Sequence, residues 1–246
     1  MKKEFLIFLL LFLVFTCQSS PEGSSGTSST SSSEEVYPVP DKLCALTFDD
    51  GPDATLTPKV LDKLEKYNVV ATFFMIGQKI GPSTKAVIDR ITNMGCEIGN
   101  HSYGYDSLTG KTADEIKTSV SNTSALIEQY TGEKPKFFRP PNLATNSSVF
   151  EAIDLPFAGG ILGYDWAGVS DRTASKIAQN VISQMQDGVI ILLHDVQPEP
   201  HPTPEALDII IPELKRRGYE FVTLSKLFER KGVNPNVEYK MWTKVP

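Results

Sequence analysis

Two carboxylates stand side by side at Asp49 and Asp50, within Thr47-Phe48-Asp49-Asp50-Gly51-Pro52. In a core such a doublet is costly unless a cation or a metal pairs with it. Asp, Gly and Pro are also ordinary turn residues, so the doublet taken alone fits a solvated turn equally well. Further along, Gly99-Asn100 leads into His101-Ser102-Tyr103-Gly104-Tyr105. Arg139 opens Arg139-Pro140-Pro141-Asn142, Tyr164 precedes Asp165-Trp166, and Leu193 runs into His194-Asp195. A lone histidine is more often structural than catalytic. Here two of the three histidines, with aspartates and an arginine, each follow an apolar run. Isolated solvated turns do not explain that recurrence. Residues of these types can bind a metal and move protons.

Those residues need strands to carry them. Leu43–Phe48, Val69–Ile76, Cys96–Gly99, Phe137–Arg139, Phe157–Leu162, Val189–Leu193 and Glu220–Thr223 read as strands, mostly short apolar runs. Helices are expected between them. Pro58–Tyr67 has Thr57 as a candidate N-cap, and Ser83–Asn93 is closed by Gly95. Thr112 and Glu115 form a capping-box pair that opens a long helix with Ile116, Val120, Ile127 and Tyr130 on one side. Shorter helices are expected at Ser147–Ile153, around Ile177, Val181, Ile182 and Met185, and at Leu224–Arg230. Thr203–Arg217 is expected to kink at Pro212 and to end at Gly218. Repeated strand-then-helix order implies an α/β architecture with a parallel sheet. About seven such units suggest a TIM-barrel-like fold slightly smaller than the eightfold one, with chemistry at the carboxyl ends of the strands. The candidate residues fall at those ends.

The chain has 246 residues, 40% of them hydrophobic, and a net charge of −6. That supports one well-cored domain and argues against nucleic acid or anionic lipid as main partners. Three cysteines, at 17, 44 and 96, are too few for a disulfide framework, and Cys44 and Cys96 read as small buried hydrophobes. Lys2, Lys3 and the apolar run Phe5–Phe15 read as an export signal over residues 1–17, too short for an ordinary transmembrane helix. The run ends at Phe15-Thr16-Cys17, which resembles a bacterial lipobox loosely, because Phe15 is not small. Residues 18–35 hold nine serines among eighteen residues and read as a flexible tether. The domain is expected over 36–246, monomeric, exported to the cell surface, with membrane contact only through a lipid on Cys17.

The motifs at 47–52, 101–102, 139–141, 165–166 and 193–195, in that order, resemble the polysaccharide deacetylase family, also called the NodB-homology domain or family 4 carbohydrate esterases. The likeness covers residues from about 42 to 230. It implies a distorted seven-stranded (β/α) barrel and a divalent metal, usually zinc. By motif, Asp49 would be the general base, and Asp50 and His101 metal ligands. Arg139 would orient Asp49. The Asn142 backbone N–H would help hold the oxyanion. Asp165 would set the state of His194, the general acid, and Trp166 and Leu193 would line the acetyl pocket. The physics agrees. A metal makes a nucleophile from water at neutral pH and polarises the carbonyl. A nearby arginine favours a deprotonated carboxylate, and a histidine backed by aspartate can keep the proton that an amine leaving group needs.

The chain departs from the pattern at Tyr105, where the family's second metal-binding histidine would stand, and at Asn142, where the family has tyrosine. A neutral phenol, with a free pKa of about 10, is a poor ligand. The metal could rest on Asp50, His101 and waters. Tyr105 could bind as phenolate, or Asp106 or His201 could substitute. Or the domain is a sugar-binding pseudo-deacetylase. The reading adopted is a metal-dependent hydrolase acting on N-acetylated polysaccharide, peptidoglycan or chitooligosaccharide-like, with an esterase for O-acetylated sugars such as acetylxylan as the alternative.

Overall fold

The computed structural model describes residues 39–168, 170 and 172–246. The export signal, Cys17 and the serine-rich tether expected at 1–35 lie outside the described residues. Among the described residues no helix is long and apolar enough to cross a membrane.

Strands and helices alternate. In chain order they are β1 (Lys42–Asp49), α1 (Thr57–Lys66), β2 (Thr72–Met75), α2 (Lys85–Asn93), β3 (Glu97–Asn100), α3 (Ala113–Thr131) and α4 (Ser147–Ala152). Then follow β4 (Phe157–Ala158), β5 (Ile161–Leu162), α5 (Ala174–Gln184), β6 (Val189–His194), α6 (Thr203–Arg216), β7 (Tyr219–Phe221), α7 (Leu224–Lys231) and β8 (Met241–Trp242). Parallel pairing runs β3-β2-β1-β6-β5. Single bridges from Asn100 to Phe138 and from Phe138 to Phe157 carry it from β3 to β4; β4 pairs with β8, and Lys244 just beyond β8 bridges to Val189 of β6. The seventh strand is the distortion. One edge of β1 pairs with β2 over Thr47–Asp49 and with β7 over Lys42–Cys44, so β7 wedges in where β1 and β2 diverge.

Side-chain alternation divides two cores. From β1, Cys44, Leu46 and Phe48 face outward against Val60 and Leu61 of α1 and Leu207 and Ile211 of α6. Leu43 and Ala45 face the barrel interior with Phe74, Phe137, Ile190 and Trp242. Asp49 shares the inward parity of Leu43 and Ala45, which is why a carboxylate at a strand tip enters the barrel mouth. Both described cysteines are free and buried, as small hydrophobes.

Several sequence expectations shift. Thr57 does not cap α1; its hydroxyl accepts from Asp53 N–H (2.9 Å) and donates to Asp195 Oδ2 (2.5 Å). The strand expected at Phe137–Arg139 contracts to the bridges at Phe138, because the Arg139 carbonyl turns to a side chain instead. Phe157–Leu162 splits at Gly159-Gly160, where a Cβ on Gly160 would meet Leu192 Cβ at 2.9 Å. There β8, which the sequence reading did not contain, pairs with β4. Helix α6 contains Pro212 and ends at Arg216, two residues before Gly218. The capping box at Thr112 and Glu115 forms as expected.

Candidate active site

The site is assembled from strand tips. After β1, β3, the Phe138 bridge and β5, the chain enters the left-handed region at Asp50 (φ +78°), Ser102 (+70°), Asn142 (+59°), Leu143 (+54°) and Tyr164 (+59°). Non-glycine residues rarely adopt this conformation, and its concentration at one end of a barrel marks a functional surface.

Asp49 and Arg139 form its deepest pair. Arg139 is fully buried, and its Nη1 donates to Asp49 Oδ1 (2.6 Å) and Thr47 Oγ1 (2.9 Å). Nε donates to Ala158 O (2.9 Å) and Nη2 to Gly159 O (2.6 Å). The guanidinium also lies 4.1 Å from the centroid of the Phe74 ring. That ring fills the space beside Gly99, where a Cβ would approach it to 2.6 Å. Every direction of the arginine is fixed, so one oxygen of Asp49 is held and Oδ2 is left toward the cleft.

His101 lies 3.7 Å from that Oδ2 and 3.6 Å from Asp50 Oδ1, both measured from Nε2. Its Nδ1 is 2.7 Å from the Arg139 carbonyl. A carbonyl only accepts, so Nδ1 carries a hydrogen, and Nε2 faces the two carboxylates. Burial pushes the Asp50 carboxyl above its ordinary value, against the pull of His101 and His194. Lys79 Nζ donates to the Asp50 carbonyl (3.0 Å), which steadies the turn.

On the neighbouring strand, at the same register as Asp49, stands His194. Its Nδ1 is 2.9 Å from Asp165 Oδ1. Asp165 Oδ2 accepts from the His194 backbone N–H (2.7 Å) and from Thr203 Oγ1 (2.8 Å). Burial disfavours the charged ring, yet Asp165, with Asp49 and Asp50 behind it, outweighs burial and raises His194 to about 9.

A cleft of about 400 Å³ joins Asp49, Asp50, His101 and His194 to Tyr105, Asn142, Leu162, Trp166 and Leu192. Trp166 meets His194 edge-on, with ring centroids 5.2 Å apart. Leu193, expected in this pocket, belongs to the outer core instead. His194 points inward, so its neighbour must point outward, and Leu192, with Leu162 from β5, lines the cleft. Of the residues that could replace the missing histidine, Tyr105 lines the cleft. The Asp106 side chain is 86% exposed and pairs with Lys111. His201 is buried and lies outside the cleft lining, with neither ring nitrogen hydrogen-bonded.

No local sequence pattern assigns Asp195 a part in the chemistry. It is buried behind the Asp49–Pro52 turn, and its N–H donates to the Asp49 carbonyl (3.2 Å). A Cβ on Gly51 would meet its Oδ2 at 2.3 Å. Burial raises its carboxyl to about 7. Gln197 also lines the cleft, and nothing in its sequence context signals it.

The polysaccharide deacetylase family model matches residues 37–156. A peptidoglycan-N-acetylglucosamine deacetylase of Bacillus cereus is 39% identical over 191 residues, 75% of this chain and 68% of the relative. The chain belongs to the polysaccharide deacetylase family. A bifunctional xylanase/deacetylase of Pseudobutyrivibrio xylanivorans is 49% identical over 204 residues, 83% of this chain and 33% of the relative. This chain therefore spans about a third of that relative's length. A solved family 4 acetyl xylan esterase from Clostridium thermocellum, in complex with a cobalt ion, superposes with a TM-score of 0.81 at 56% identity. It covers 83% of this chain and all of that one. The family's fold is the distorted (β/α) barrel described above.

Enzymes of this family are metal-dependent, and the residues present fit a divalent cation. His101 directs Nε2 toward the carboxylates, and the Asp50 carboxylate beside it sits in a pocket where burial disfavours uncompensated negative charge. Among the described residues no cluster of three or more His, Cys, Asp and Glu converges for a metal. Asp50 and His101 would thus be two protein donors, with Tyr105 at the rim in place of a third.

Proposed function

We propose that this chain hydrolyses acetyl groups from N-acetylated polysaccharide of the cell envelope or a chitin-like polymer. The observation that carries the reading is the pairing of a proton acceptor and a proton donor at the same register of adjacent strands. Asp49 is countered by Arg139, and His194 is charged by Asp165. A divalent metal, zinc in this reading, would be held by Asp50 and His101, donor types that zinc accepts. When bound, it polarises the acyl carbonyl and acidifies water. Asp49 Oδ2 accepts the proton of the attacking water. His194, protonated at neutral pH, delivers a proton to the leaving nitrogen. The C–N bond breaks, giving acetate and a free amine. The turn at Asn142 offers its backbone to the acyl oxygen, and Leu162, Leu192 and Trp166 enclose the methyl group.

The same machinery cleaves an ester, and one finding favours that second reading: a solved structure of 56% identity is that of an acetyl xylan esterase. Export by residues 1–17, a lipid on Cys17 and a tether over 18–35 would place a monomeric domain at the cell surface. The test is acetate release from chitohexaose, peptidoglycan and acetylxylan, with and without zinc or cobalt. We expect metal-stimulated release that Asp49→Asn lowers by at least about 100-fold. Acetylxylan preferred over both N-acetyl substrates would select the esterase reading. Binding of glycan with no acetate released under any metal would leave a pseudo-deacetylase.

A further inference from the structure

The turn that aims Asp165 at His194 also presents two aromatic rings. Tyr164 and Trp166 are 46% and 42% exposed. Their centroids lie 5.5 Å apart, with planes tilted by 40°. Trp166 is part of the cleft wall, and Tyr164, outside the lining, sets its ring beside that of Trp166. No hydrophobic cluster of the core includes Tyr164.

The turn is held in place. Gly163 N–H donates to Leu192 O (3.3 Å), and Asn180 Nδ2 donates to Gly163 O (3.0 Å). A Cβ at Gly163 would meet Leu193 Cδ2 at 2.3 Å, so that stretch of backbone lies tight against β6. Ala167 N–H donates back to Tyr164 O (3.1 Å), closing the turn. Tyr164 itself sits at φ +59°, a conformation bulky side chains rarely adopt. Asp165, next in the chain, is locked by three hydrogen bonds. The strain at Tyr164 thus accompanies a fixed backbone, which sets the direction in which its side chain leaves the chain. Neighbouring apolar faces left in water beside a polar reacting centre suit a ligand with one apolar face and polar edges. A pyranose ring has that form: axial C–H groups on its face and hydroxyls around its rim.

We propose that Tyr164 is a glycan-binding residue that stacks on the sugar next to the acetylated one, so that the enzyme distinguishes a polymer from an isolated acetylated unit. This rests on the deacetylase reading and adds to it a specificity-determining residue. In the full chain, Tyr164→Ala should raise KM for acetylated xylooligosaccharide or chitohexaose about tenfold, with kcat within about twofold. Tyr164→Phe should stay near the parent, since stacking uses the ring and not the hydroxyl. The ratio of oligosaccharide to 4-nitrophenyl acetate kcat/KM should fall about tenfold in Tyr164→Ala, because the small ester has no second sugar. Tyr164→Asn, which tolerates a left-handed backbone, should behave like the alanine variant and so separates ring from strain.

Quenching of tryptophan fluorescence by xylohexaose and by chitohexaose reads binding without turnover. It should weaken about tenfold in the alanine and asparagine variants. Equal losses on oligosaccharide and small ester, or unaltered KM and titration in Tyr164→Ala, would overturn the proposal, as would a parent that binds neither sugar. A parent that binds but releases no acetate would instead sink the deacetylase reading, with the titration still deciding Tyr164.

Discussion

Replacing Arg139 by methionine tests whether the buried ion pair organises the barrel mouth. The guanidinium is inaccessible to solvent and makes four hydrogen bonds. Burial lowers its affinity for the proton, and Asp49 opposes that. Methionine fills much of the volume and none of the polar roles. It strands the Asp49 carboxylate, which is 3% exposed, without its cation. Breaking a buried pair from one side costs about 3–5 kcal/mol. In a domain of this size each kcal/mol lowers the midpoint by about 2–4 °C, so the loss should be about 10 °C. Asp49→Asn combined with Arg139→Met removes the stranded charge. The double variant should be less destabilised than the sum of the singles by about 2 kcal/mol. Urea unfolding followed by fluorescence and circular dichroism supplies all four corners of the cycle. A single variant within about 1 kcal/mol of the parent, or strict additivity, would refute the reasoning.

Three further expectations follow from the same geometry. His194 is raised from 6.5 to about 9, so its protonated form stabilises the fold fully below 6.5, and that contribution disappears as pH climbs through about 9. The alkaline limb of kcat/KM should fall near pH 9 and move toward neutrality in Asp165→Asn; superimposable profiles would exclude Asp165 as the cause. Tyr105→His should raise zinc affinity by about tenfold or more, since imidazole binds unprotonated at neutral pH; calorimetric titration showing weaker binding would make Tyr105 itself a ligand or a glycan contact. Removing residues 1–35 should leave a soluble monomer that unfolds cooperatively, and loss of that cooperativity on urea titration would place the serine-rich stretch within the fold.

The sequence by itself determined most of the alternation of strands and helices and the polar residues at the strand tips, because short apolar runs and their terminal polar groups are local features. Asp49, Asp50, His101, Arg139, Asp165 and His194 were all legible that way. What no local pattern carries is the partner across the barrel. The single bridges at Phe138 that join β3 to β4, the pairing of β8 with β4, and the wedge of β7 against β1 depend on contacts between distant segments. The same holds for Asp195, whose relation to Gly51 exists only once β6 lies beside β1. Leu193 shows how a local reading errs. Its motif places it next to His194, but strand parity in the folded barrel turns it into the outer core and gives the cleft to Leu192. His201 could have substituted for the missing histidine by residue type, and the fold buries it outside the cleft lining. Motif spacing fixes which groups reach the barrel mouth. Only packing decides which face of each strand meets the cleft, because inward and outward exist only when the sheet has closed.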